Sequence, residues 1–213
     1  MSTKQSRRRF MALTATGVAG AVAGCLGEED GPAADGETVD ELPTPVQGDP
    51  DSDVTVAVYE DFSCPGCQTY KLSVYPEIKT EFIESDRIRY EHHDLPVVNE
   101  TWSYQIPSAA RAVQDTEDDE AFFAFAEAIY PYQDEYSFDT VESVAEEVGA
   151  DGDAIRDAAE DLTYLPVIEA SSDAGQDRGV SSTPTVVVND ELLTPQQGED
   201  FYQEIASTIE SAE

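Results

Sequence analysis

Cysteine, histidine and positive charge are all scarce in this chain of 213 residues. Three cysteines are too few for a disulfide scaffold, and two histidines leave little for a closed zinc site of four nitrogen or sulfur ligands. Only 11 Lys and Arg stand against 46 Asp and Glu, a formal charge of −35. Such a chain repels phosphate backbones and anionic head groups, which excludes nucleic acid as a partner and membrane binding driven by charge. No uncharged apolar run reaches the roughly 20 residues that a spanning helix needs. What is present, 40% apolar residues with 9% aromatics, suits one globular domain with appendages, whose chemistry must use few atoms.

The few basic residues are unevenly placed. Residues 1–24 contain Lys4, Arg7, Arg8 and Arg9 and no acid, which leaves seven basic residues against 46 acidic ones in the rest of the chain, a net of −39. The uncharged stretch from Phe10 to Gly24 has the length of a secretory h-region, so residues 1–24 read as a signal peptide. A buried helix is disfavoured by Gly17, Gly20 and Gly24, each costing roughly 1 kcal/mol relative to Ala in a helix interior. Ser6-Arg7-Arg8-Arg9-Phe10-Met11 resembles the twin-arginine export motif, and Val22-Ala23-Gly24-Cys25 resembles a lipobox. Together they imply export in a folded state, cleavage before Cys25 and a thioether-linked lipid on that sulfur. The expected location is the cell surface, on the outer face of the cytoplasmic membrane, held through the lipid at Cys25 alone.

Residues 26–50 hold eight acids, four glycines and four prolines, and too little apolar surface to fold alone, so residues 25–50 are expected to be an acidic, disordered tether. Acids recur through every later segment instead of gathering in one tail. That uniform carboxylate surface resembles halophilic proteins and implies a salt-loving archaeal source.

Residues 51–213 carry the folded part. Asp53 to Tyr59 alternates Val54, Val56 and Val58 with Thr55, Ala57 and Tyr59, the period of a strand buried on at least one face. A helical pattern follows Cys64, with Val74, Ile78 and Phe82 on one side and Pro76 expected to kink or divide it. Arg87 to His92 is the next strand, giving a βαβ unit with parallel strands. About residues 101–178 then read as an inserted helical subdomain, with helices expected over 108–114, 121–130, 139–148, 153–162 and 166–178. Trp102, Phe122, Phe123 and Phe125 are assigned to its core. Val180 to Val188 returns to strand, Asn189-Asp190-Glu191 turns the chain before Leu192-Leu193, and Phe201, Ile205 and Ile209 line a final helix.

Chemistry points to Cys64-Pro65-Gly66-Cys67. Haem attachment needs His after the second cysteine, where Gln68 stands, and zinc needs two more ligands, whereas His92 and His93 point to opposite strand faces and are read as strand residues. As a staple the bond would close a loop near the minimum length, where stabilisation is least. A catalytic disulfide is the best remaining reading. Pro65 suits the first helical position, which makes Cys64 the N-cap, its sulfur over unpaired N–H groups that favour a thiolate. Cys64 is then the nucleophile and leaving group, and Cys67 the shielded resolving thiol.

Three separated motifs resemble the DsbA-like branch of the thioredoxin superfamily: Tyr59-Glu60-Asp61-Phe62-Ser63-Cys64-Pro65-Gly66-Cys67, Asp94-Leu95-Pro96, and the segment from Gly179 through Thr183-Pro184 to Asn189. The match runs from about Val54 to the C-terminus. The resemblance implies an α/β thioredoxin fold with an inserted helical subdomain, a cis-proline at Pro184 across from the disulfide, and backbone groups of Thr183 offered to an extended substrate. One departure stands out. Six residues before the first cysteine, where many members bury an acid that relays the proton of the resolving thiol, this chain has Val58. Glu60 and Asp61 are the replacements available, with Asp61 preferred.

The resemblance makes the protein a thiol:disulfide oxidoreductase that forms or isomerises disulfides in exported proteins, with no cofactor or metal beyond the Cys64–Cys67 disulfide, and with a membrane redox partner. Alternatives are a disulfide reductase for cytochrome or metal-centre assembly and a non-catalytic binding module. A copper-binding module would place Met or His near the cysteines, yet both Met residues lie in the signal segment. The helix N-terminus favours an oxidising couple, while Gly66 adds no charge. A potential between that of thioredoxin, about −270 mV, and that of DsbA, about −120 mV, is expected.

Overall fold

The computed structural model describes residues 32–98, 101–196 and 200–213. The signal segment and Cys25 lie outside the described residues. Residues from Gly31 onward form one compact unit around a five-stranded sheet in the order β1-β3-β2-β4-β5. The strands are β1 Val46–Gly48, β2 Thr55–Glu60, β3 Arg89–Asp94, β4 Thr185–Val188 and β5 Glu191–Leu193. β2 and β3 run parallel, as a crossover connection requires, and the other pairs are antiparallel.

The alternation in β2 sends side chains to two layers. Val56 and Val58 join Ile78, Phe82, Phe201, Ile205 and Ile209 on one face. Ala57 and Tyr59 meet Leu95, Val180 and Val187 on the other. On that second face the helix Leu165–Asp177 comes close, and a Cβ on its Gly175 would lie 2.7 Å from Tyr59 Cε1, so glycine is needed there for the approach itself.

From Pro65 to Ile83 the chain is one continuous helix, α1, and Pro76 neither breaks nor divides it. Two wide turns accommodate the ring, Tyr70–Val74 and Lys79–Ile83, on either side of Tyr75–Ile78. The Tyr75 N–H reaches back to the Tyr70 carbonyl and the Glu84 N–H to that of Lys79, five residues each. Widening of this kind relieves the clash and the missing donor that proline brings to a regular helix.

The insertion between β3 and β4 contains α2 Trp102–Thr116, α3 Asp119–Ile129, α4 Phe138–Glu147, α5 Gly152–Glu160 and α6 Leu165–Asp177, and α7 Phe201–Ala212 closes the fold. α2 begins earlier than expected, because Pro107 lies inside the helix and does not open it. Phe122, Phe123 and Phe125 are buried, and the partly buried Trp102 packs on Tyr136 and Phe138.

The tether expected over residues 25–50 needs correction at its C-terminal end. Residues 35–48 lie as a strap on the domain: the Asp35 and Val39 N–H groups donate to the carbonyls of Asp161 and Thr163, Val39 and Leu42 pack on the core, and β1 pairs with β3. Acid and proline content hid this, because a three-residue strand with Gln47 at its centre carries no apolar alternation, and its order comes from partners distant in sequence.

Candidate active site

Cys64 lies where the loop after β2 meets α1. Its backbone is extended (φ −83°, ψ 121°), Pro65 opens the helix, and Cys64 is the N-cap, with no side-chain capping bond of its own. The two thiols are 3.8 Å apart. Across from them the Thr183–Pro184 bond is cis, and Cys64 Sγ lies 3.4 Å from the Thr183 carbonyl oxygen. Gly66 keeps the approach open, since a Cβ there would meet Pro184 Cδ at 3.0 Å. The insertion supports the loop: Gln133 Nε2 donates to the carbonyls of Phe62 and Cys64, and the Tyr136 hydroxyl to Phe62. Val97 and Val98, both 52% exposed, form an apolar lip nearby, beside a cavity of about 430 Å³ lined by Leu95, Val97, Gly179, Val180 and Ser181.

The two sulfurs differ electrostatically. The Cys64 thiol is held down to about 6, chiefly by the hydrogen bond from Cys67, against a contrary push from burial, with the side chain of Thr183 and the N–H groups of Cys67 and Gly66 adding to it. Burial pushes the Cys67 thiol well above its ordinary value, and the hydrogen bond with Cys64 and the charge of Glu60 push the same way. At neutral pH the outer sulfur is a thiolate and the inner one a thiol.

Asp61 and Glu60, the two acids offered in place of Val58, take different positions. The Asp61 carboxylate accepts from the N–H groups of Ser63, Val97 and Val98 and from the Ser103 hydroxyl, so it ties the active-site loop to the segment after β3. Its backbone N–H points at Cys67 Sγ, 3.5 Å away. Glu60 is 1% exposed and belongs to a buried line of charge. Lys71 Nζ lies 2.9 Å from Glu60 Oε2 in a buried ion pair, and His92 Nδ1 lies 3.1 Å from the same oxygen. His92 Nε2 is 3.1 Å from Asp94 Oδ1, and Arg111 clasps Asp94 Oδ2 through Nε at 2.8 Å and a terminal nitrogen at 2.7 Å. Burial pushes the Glu60 carboxyl up, but Lys71 and His92 outweigh it and hold Glu60 below the usual carboxylate range. Asp94 is likewise held down by Arg111 and His92 against its burial.

Sequence reasoning missed Lys71, Arg111 and the role of His92 as a bridge, and the register contained the signal. Glu60 follows Val58 by one strand period and so shares its face, while Val58 pairs with His92 and Glu60 with Asp94 across β2 and β3. His93 points the other way, stacked on Tyr59 with centroids 4.7 Å apart. Among the described residues no group of His, Cys, Asp and Glu is arranged to hold a metal.

A five-stranded sheet, a cysteine pair at a helix N-terminus and a cis-proline opposite define a thioredoxin-fold protein with a helical insertion. The comparisons agree: a family model described as thioredoxin matches residues 40–207, so the chain belongs to that family. Disulfide bond formation protein D of Bacillus subtilis is 24% identical over 174 residues, covering 78% of this chain and 75% of the relative. The crystal structure of oxidised BdbD from Bacillus subtilis superposes with a TM-score of 0.71 at 24% identity, covering 83% of this chain and 98% of that one. Chlamydia trachomatis DsbA gives 0.70 at 19% identity, over 83% and 95%. Within the thioredoxin family the chain is a DsbA-like thiol:disulfide oxidoreductase.

Proposed function

We propose that the protein introduces or rearranges disulfides in exported proteins, using Cys64 as the exchanging sulfur and Cys67 as the resolving one. The observation that carries this reading is the contrast between the two sulfurs, one lowered to about 6 at a helix N-terminus and the other buried and raised. In the oxidising direction a substrate thiolate attacks Cys64 Sγ, the Cys64–Cys67 bond breaks, and Cys67 leaves with the electron pair and takes a proton. A second substrate thiolate then attacks the substrate sulfur of the mixed disulfide and releases Cys64 as a thiolate. Two substrate thiols become one disulfide, and two electrons rest on the Cys64–Cys67 pair until a membrane redox partner removes them. Stabilising the Cys64 thiolate favours the reduced enzyme and so makes its disulfide oxidising. The backbone of Thr183, beside the cis bond, is suited to hold an extended substrate segment, with Val97 and Val98 as its apolar border.

The protein performs this chemistry outside the cell, exported by the Arg7-Arg8 signal and held by a lipid on Cys25, with a carboxylate surface adapted to concentrated salt. Replacing Arg7-Arg8 by Lys-Lys is expected to retain the precursor inside, and Cys25→Ser to release the mature protein or leave it unprocessed. Cys25→Ser protein that stays membrane-bound at mature size refutes the anchor. Equilibration with glutathione at high salt tests the direction of exchange. A Cys64–Cys67 potential above thioredoxin's, about −270 mV, supports the oxidant, and one below it assigns the protein to the reductases.

A further inference from the structure

His92 lies between two carboxylates with no access to water. Its ring nitrogens face Glu60 Oε2 and Asp94 Oδ1, each at 3.1 Å, and its side chain has no exposed surface. A neutral imidazole carries one N–H and one bare nitrogen. One of the two contacts would then set a lone pair against a carboxylate oxygen, in a buried site where an unmade hydrogen bond to a charged group is expensive. A second proton turns both contacts into charge-assisted hydrogen bonds.

We propose that the Glu60–His92–Asp94 array holds one buried proton beyond the single N–H of a neutral ring, making His92 a positioning residue that sets the charge facing the Cys64–Cys67 pair. This rests on the reading of those two cysteines as the redox pair. Titratable and charged groups face the array from several elements, among them the neutral, buried Tyr70 and Tyr90 hydroxyls on the Glu60 side. α1 contributes Lys71 and Cys67, α2 contributes Arg111, and the Tyr130 hydroxyl at the end of α3 donates to Glu60 Oε1 at 3.3 Å. Phe62 and Phe122 wall the ring with apolar surface. Lys71 and Arg111 cancel Glu60 and Asp94, so the extra proton leaves the cluster with one net positive charge. Each ring nitrogen stands 3.1 Å from a carboxylate oxygen, which places that proton on the ring. The charge of Glu60 reaches Cys67, where it opposes a thiolate, and the proton on His92 offsets it. Burial keeps this interaction from being screened by salt.

Val58 stands where the family's buried acid would be. The charge control of the resolving thiol lies one strand period further along β2, and it is shared with a histidine from β3 in place of a lone acid.

The chain has only two histidines, so ring-nitrogen NMR of the reduced wild-type protein labelled with ¹⁵N-histidine, with His93→Gln for assignment, reads the proton directly. Both His92 nitrogens are expected to bear hydrogen at neutral pH, as two carboxylate partners at 3.1 Å require. One bare nitrogen on His92 overturns the proposal. The pH profile of Cys67 alkylation, read in a Cys64→Ser background, is the second measurement. His92→Gln should raise its midpoint by about one pH unit, a tenfold slower alkylation well below the midpoint, and Glu60→Gln added to it should restore the starting midpoint by returning the net charge. A folded His92→Gln protein with an unmoved midpoint overturns the claim on the cysteines. Should His92→Gln fail to fold, the NMR result on the wild type decides. Should Cys64→Ser keep exchange activity, the redox-pair reading falls while the ring-nitrogen result stands.

Discussion

Cys64 Sγ lies 3.4 Å from the carbonyl oxygen of Thr183, near enough for the thiol to donate to it. A thiolate cannot donate, so ionising Cys64 turns this contact repulsive and frees the Thr183 oxygen for the N–H of an incoming chain. The same ionisation thus prepares the nucleophile and the backbone acceptor beside it. Cys64→Ser is expected to abolish exchange with a protein substrate, whereas Cys67→Ser should accumulate mixed disulfides through Cys64. Alkylation of the reduced protein reads the order of reactivity, and a faster Cys67 refutes the assignment.

The pH dependence of stability isolates Cys64. Its folded value is depressed from the ordinary 9.0 to about 6, so it contributes stability to the reduced fold that is fully present above pH 9 and is lost as pH falls through 6. Cys67, raised above 9.0 in the fold, stays protonated there and is present in the Cys64→Ser reference as well, so the comparison reads Cys64. The melting temperature of the reduced wild type relative to reduced Cys64→Ser is therefore expected to rise between pH 6 and 9. A constant difference across the window would show that the fold, the Cys67 hydrogen bond foremost, does not stabilise the Cys64 thiolate.

Residue spacing made the redox pair and the strands readable, because each rests on local chemistry. The cysteine spacing, Pro65 at the first helical position and the alternation of Val54, Val56 and Val58 are features of neighbouring residues. The cis bond at Pro184 was readable only through family resemblance. The charge line was not readable by composition, because Lys71, Glu60, His92, Asp94 and Arg111 come from four elements and each alone looks like a surface residue. Strand period was the missing step: it separates Glu60, on the face of Val58, from Asp61, which has left the strand to organise the loop. The strap over residues 35–48 escaped for the opposite reason, since its own sequence favours disorder and only its contacts with the insertion and β3 order it.

That strap supplies a stability test. Pro43 offers its carbonyl to Gln114 Nε2 at 2.9 Å, and the Val46 N–H donates to Asp119 Oδ2 at 2.9 Å. Removing the strap leaves these buried or half-buried groups unpaired and turns β3 into an open edge. Of two truncated proteins starting at residues 32 and 49, the second is expected to melt lower and to aggregate more readily on heating. Equal melting curves would mean that the strap merely lies on the surface.

The buried and exposed ion pairs should separate by magnitude. Arg111 and Asp94 are each 2% or less exposed, and Arg111 makes its remaining contacts to Gln114 and the Pro43 carbonyl. Arg111→Met leaves Asp94 charged, buried and deprived of its cation, a loss of roughly 3–5 kcal/mol. Lys79 and Glu127 are about as close, 2.7 Å, but their side chains are 32% and 36% exposed, and water takes over most of what the pair provides. Lys79→Gln is expected to cost less than about 1 kcal/mol. Urea unfolding of both variants at one salt concentration gives the comparison. If Arg111→Met costs no more than Lys79→Gln, the interior is not relying on that pair.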